Sequence, residues 1–177
     1  VNGRTLLEID GRPAADVLTG WRREMGLTAL PDGLADPALP LGIPVKRVHE
    51  AESFRLASPV STGSDGSLLL GAEAEEGYDI VLMQPHADGN LAAMPHLCSF
   101  AADLIETAPN ALQGALFIEC DTGRQRTGDD SALMAELAGT LGATPFSGWY
   151  ADGVQGRFLD RRNHHGSRMA AAIVFGR

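Results

Sequence analysis

A chain of 177 residues with 44% hydrophobic and 21% charged residues is long enough to bury a core and too apolar to be disordered. Its net charge of −9 excludes a general surface for nucleic acid or anionic membrane, where Lys and Arg must neutralise phosphates. Two cysteines, Cys98 and Cys120, are too few for a disulfide framework; with no apolar run of 18 residues and no signal peptide, a cytoplasmic location away from membranes is expected.

Residues 4–10 (RTLLEID) read as a strand, after which Asp10-Gly11 turns the chain. Pro13 suits the first turn of a helix over 13–25, where Val17, Leu18, Trp21 and Met25 recur at helical spacing until Gly26 ends the run. Residues 27–44 hold Pro31, Pro37, Pro40 and Pro44 with Gly33 and Gly42, and read as a long connecting loop. Strands follow at 45–48, 53–59, 67–70 and 78–83, with Ser64-Asp65-Gly66 as a hairpin turn, so the middle third reads as an antiparallel meander. Leu97, Ala101, Leu104, Ile105 and Ala108 share one face of a helix whose first turn takes Pro95. The run 115–120 (ALFIEC) reads as a buried strand, and Ser131 caps a helix with Leu133, Met134, Leu137, Ala138 and Leu141 on its face. Strands at 146–150 and 169–175 close the chain, the second expected at the centre of a sheet because it is apolar throughout. With no repeat and no break in composition, the expectation is a single α+β domain over 1–177: a mainly antiparallel sheet with about three packed helices.

Three stretches carry chemical potential. The first runs from Cys120 to Arg126 and opens from a strand end into a Gly-containing loop, a common place for a binding site. Gly123 lets backbone N–H groups approach a ligand, Arg124 and Arg126 offer forks for a carboxylate or phosphate, and Cys120 offers a thiol or metal ligand. The bland alternative is a buried structural cysteine followed by a solvated turn. The second is Gly148-Trp149-Tyr150-Ala151-Asp152-Gly153, where two aromatics line a pocket with Asp152 at its rim, or simply flank a hairpin turn. The third is residues 161–166, in which His164 and His165 alternate faces in a strand and therefore do not share one metal. HExxH, CxxC, GxSxG, P-loop and dinucleotide fingerprints are all absent from the sequence, which leaves a Cys120–histidine pair oriented by Asp152 as a remote catalytic option.

Taken in order, these segments resemble the C-terminal part of the FIST sensory module. The resemblance runs through LLEIDGRPAADVL at 6–18, RLASPVSTGSDGSLLLGAEAEEGYDIVLMQP at 55–85, ALFIECDTGR at 115–124, TPFSGWYADGVQG at 144–156 and NHHGSRMAAAIV at 163–174. Pro145, Gly148, Tyr150 and Gly153 match the family's Pro-x-x-Gly-x-Tyr-x-x-Gly stretch, whereas Val154 stands where the family often has an acidic residue. On this resemblance, and with Val1 in first position, the chain is expected to be part of a larger two-part module.

What the resemblance implies is sensing rather than catalysis, in a bacterial signal-transduction protein. The ligand would be an amino acid or other small carboxylate, held by Cys120, Gly123, Arg124, Arg126, Tyr150, Asp152, Gly153 and His164, with no catalytic or metal-ligating residue. The signal would pass to an output domain such as a histidine kinase or a diguanylate cyclase, with no nucleic-acid or membrane partner. Two alternatives accompany this reading: a haem-binding nitric-oxide sensor with His164, His165 or Cys120 as axial ligand, and a ligand-free protein–protein interaction module.

Overall fold

The computed structural model describes residues 1–27, 39–48, 51–84, 89–120, 130–158 and 162–176. Residue contacts gather into two compact units, residues 1–84 with 155–167 and residues 85–154 with 168–177.

In the first unit the predicted opening strand is two short ones, β1 (Thr5–Leu6) and β2 (Glu8–Ile9), and β2 pairs at once with β3 (Arg12–Pro13). Asp10 and Gly11 both take positive φ, which makes this tight reversal. Helix α1 (Ala14–Glu24) follows directly from Pro13. No side chain caps it; instead Ala14 N–H donates to the Leu7 carbonyl at 3.0 Å and Ala15 N–H to the Gly66 carbonyl at 2.9 Å. Val17 and Leu18 are buried as the spacing predicts, while Met25 caps the C-terminus and is exposed.

Strand β4 (Leu41–Val48) begins four residues earlier than expected, so 41–44 is not loop. It lies between β5 (Ala51–Ala57) and β8 (Val81–Leu82), both antiparallel to it. Pro44 is tolerated because β8 pairs only with Leu41 and Gly42, leaving no ladder bond to lose at Pro44. The predicted hairpin at 64–66 joins β6 (Pro59–Thr62) to β7 (Leu68–Leu70), and β7 also pairs with β1. Asp65 anchors its turn: its carboxylate accepts from Ser67 N–H at 3.0 Å and Ser67 Oγ–H at 2.6 Å, which holds its carboxyl below the usual range. Strands β11 (Val154–Arg157) and β12 (Asn163–Gly166) form a further pair. Leu6, Leu18, Leu41, Ile43, Leu68 and Leu70 form this unit's core.

The second unit is built on β9 (Gly114–Cys120), with β10 (Phe146–Ala151) parallel on one side and β13 (Ala170–Phe175) antiparallel on the other. The sequence suggested a central β13, but it has only β9 as neighbour among the described residues. Its apolar run is explained instead by α2 (Gly89–Asp103), which packs against it. That helix starts earlier than expected, with Pro95 inside it, and turns Met94, Cys98 and Ala102 inward. It stops after Asp103: Glu106 takes φ 53° and Thr107 N–H reaches back to the Ala102 carbonyl at 3.0 Å, leaving Leu104 and Ile105 exposed beyond the end.

A short 3₁₀ turn (Pro109–Ala111) precedes β9, and helix α3 (Ser131–Leu141) connects β9 to β10. Leu133, Leu137 and Leu141 enter the core beside Phe117, whose ring meets Phe146 edge-on at 6.2 Å. The architecture is α+β with mostly antiparallel strands, as expected. The exception is the parallel β9–α3–β10 unit, where a helix makes the crossover that parallel strands require.

Candidate functional site

Parallel strands deliver their carboxyl ends to the same side, and that is where open sheets gather ligand-binding groups. In the β9–α3–β10 unit the in-register pairs Glu119↔Tyr150 and Cys120↔Ala151 mark those ends. Gly148 permits the close approach, because a Cβ there would lie 3.0 Å from the Phe117 carbonyl oxygen and 3.2 Å from its Cβ. The first turn of α3 arrives at the same place, with Asp130 just before it. Together these residues form a cleft of about 390 Å³. Met94, Phe117, Leu133, Met134, Leu137 and Phe146 make its walls, Tyr150 contributes aromatic surface, Trp149 borders it, and Glu119 and Asp130 are its acids. An apolar concavity with a few convergent polar groups is the usual form of a small-molecule site.

The two acids stand in different environments. Burial first, and the nearby Asp130 charge second, push the Glu119 carboxyl above the ordinary carboxylate range. Asp130 flanks the α3 N-terminus, whose dipole favours a negative charge. Its side chain makes no capping bond to the helix; it accepts a hydrogen bond from Tyr150 Oη at 2.7 Å. A cation entering the cleft would relieve the repulsion between the carboxylates.

The residues singled out from sequence are distributed unevenly around this cleft. Tyr150 lines it. Cys120 is 1% exposed and does not line it; strand alternation puts Phe117 and Glu119 on the cleft side, and the Cys120 thiol donates to the Asp152 carbonyl at 3.6 Å. Asp152 is exposed on the following turn with Gly153 beside it, and Val154 is buried. Gly123, Arg124 and Arg126 lie outside the described residues, in a stretch bounded by Cys120 and Asp130. His164 belongs to the first unit, where its ring meets Phe158 edge-on at 5.2 Å.

Glu119 and Asp130 were missed in the sequence reading, although the signal for Glu119 was present: one ionisable residue inside an otherwise apolar central strand. Haem fits poorly at two of its three suggested ligands. The Cys120 thiol is sealed, and His165 Nε2 is engaged with the Gly71 carbonyl at 3.1 Å. Among the described residues no group of three or more His, Cys, Asp or Glu is arranged to hold a metal ion.

The fold and cleft define a small α+β module with a ligand-sized recess at the end of a parallel strand pair. The family model of the FIST C domain matches residues 14–157, and the chain belongs to that family. FIST C domains are sensory domains of signal-transduction proteins, not a catalytic family. No curated protein and no solved structure matches the chain. Among the described residues no helix is long and apolar enough to cross a membrane.

Proposed function

We propose that this chain is the small-ligand-receiving part of a bacterial, cytoplasmic signalling protein, and that the cleft at the ends of β9 and β10 takes an amino acid. The observation that carries the proposal is the pair Glu119 and Asp130 inside an apolar, aromatic-edged cleft. Such a site suits an ammonium group: the carboxylates supply charge, Tyr150 supplies an aromatic ring, and the apolar wall accepts a side chain. The ligand's own carboxylate would be met by Arg124 or Arg126, which stand in the sequence between the two acids Glu119 and Asp130. Both units would serve as one FIST C domain, because the family match runs through residues of each. Occupancy would be passed to an output domain such as a histidine kinase or diguanylate cyclase, with no reaction at the cleft.

Thermal unfolding with a panel of amino acids tests this. A ligand at 100 times its Kd raises the stability of the state it binds by about 2.7 kcal/mol. At least one amino acid should raise the melting temperature, Glu119→Gln should abolish the rise, and Arg124→Gln should weaken it. A panel that moves nothing at millimolar concentration, or a rise that survives Glu119→Gln unchanged, would refute the assignment.

A further inference from the structure

The first unit holds a charge that the sensory cleft does not use. Arg55, on β5, is 7% exposed, yet it faces two cavities of about 310 and 460 Å³. An ionised guanidinium taken out of water needs a counter-charge or a full set of acceptors. Among the described residues Arg55 has neither. Its one hydrogen bond is a long one, from Nη1 to the His165 carbonyl at 3.4 Å, and no carboxylate pairs with it. Among the described residues, four of the five N–H donors of this planar fork are therefore without a protein acceptor.

The surroundings favour an anion. Arg162 lines the smaller cavity, Arg4 the larger, and His164 both. Two glutamates are present, Glu75 at both cavities and Glu73 at the larger, but both are exposed and already solvated. Arg55 is the least exposed of these charged groups and borders both cavities, so a negative partner there would complete its hydrogen bonding. The floor is also held in shape. Ser167 N–H donates to the Leu56 carbonyl at 2.9 Å and Ser167 Oγ accepts from Ser58 N–H at 3.0 Å, which ties the segment after β12 to the chain around Arg55.

We propose that Arg55 is the centre of a second binding site, for a small oxyanion (a carboxylate or a phosphate group), with Arg162, Arg4 and His164 around it. A planar guanidinium meets two oxygens of either group in parallel, which is the geometry that an ammonium cannot supply. This site is independent of the amino-acid cleft: its residues belong to the other unit, and it stands whether or not Glu119 holds an ammonium group.

The test is titration of the full chain, at constant ionic strength made up with chloride, by inorganic phosphate in one arm and succinate in the other. Binding is followed by calorimetry and by the arginine Nε–H and histidine ring resonances. Saturable binding of either anion is expected, with shifts of an arginine side chain and His164, a loss of at least tenfold in affinity in Arg55→Met, and no change in Glu119→Gln. Binding of phosphate alone, of succinate alone or of both identifies the source of the oxyanion. The wild-type spectra decide the matter even where Arg55→Met does not fold. If neither anion moves an arginine side chain or His164, or if a folded Arg55→Met binds as the parent does, the site does not exist.

Discussion

Tyr150→Phe removes one hydroxyl, and with it the hydrogen bond to Asp130. The hydroxyl donates to Asp130 Oδ1 at 2.7 Å, and the Asp130 carboxylate makes no capping bond to the helix it precedes. A hydrogen bond to a charged group contributes about 1.5–3 kcal/mol. Asp130 is only half-buried and faces an open cleft, which brings the expectation to about 1–2 kcal/mol. For a chain of this length that corresponds to a fall in Tm of roughly 2–8 °C. A double-mutant cycle with Asp130→Ala isolates the pair. The helix-dipole contribution of Asp130, about 0.3–1 kcal/mol, appears in both of its arms and cancels. The chain carries two tryptophans, Trp149 beside the pair and Trp21 in the other unit, so a Trp21→Phe background leaves fluorescence that reports on the relevant unit alone. Urea denaturation at neutral pH should give a coupling energy of about 1–2 kcal/mol. If the two substitutions add to within about 0.3 kcal/mol, the hydrogen bond contributes nothing and the account of Asp130 as the phenol's acceptor is wrong.

Glu119 should make stability pH-dependent. Its carboxyl ionises at a higher pH in the folded chain than in the unfolded one, so between those two values the folded state holds more protons and stability falls as pH rises. Glu119→Gln should flatten that part of the profile and leave the variant relatively more stable on the alkaline side. Urea midpoints of both proteins from about pH 4 to pH 8 check this, and parallel profiles would contradict it. Gly142, which ends α3, has φ +59°, and an added Cβ would meet only Asn110 Cβ at an ordinary 3.6 Å. Gly142→Ala should therefore cost about 1–2 kcal/mol from backbone conformation alone, read as a lower urea midpoint; unchanged stability would show that the helix does not depend on this left-handed end.

Much of the local structure was legible because its causes are local. The Asp65–Ser67 turn lies within three residues, the span of α1 follows from its apolar spacing and Gly26, and the alternation of His164 and His165 follows from strand geometry. Errors arose where a distant partner decides. Residues 41–44 carry two loop-forming residues, Gly42 and Pro44, yet they join a strand because β5 offers a full ladder on one side. The apolar run 170–175 looked central, but α2 rather than a second strand covers it.

The candidate site divides in the same way. Composition, spacing and motif order by themselves determined an acidic α+β chain of the FIST C family and marked the strand end at Cys120 and the aromatic pair at Trp149-Tyr150. Only the tertiary structure decided which residues meet there. Parallel register sets Tyr150 beside Glu119, the α3 crossover brings Asp130 to the Tyr150 hydroxyl, and strand alternation turns Cys120 away from the cleft. The physical reason is that a side chain's type is written in the sequence, whereas its charge environment and its neighbours arise from contacts made across the sheet, and these are settled only when the chain is folded.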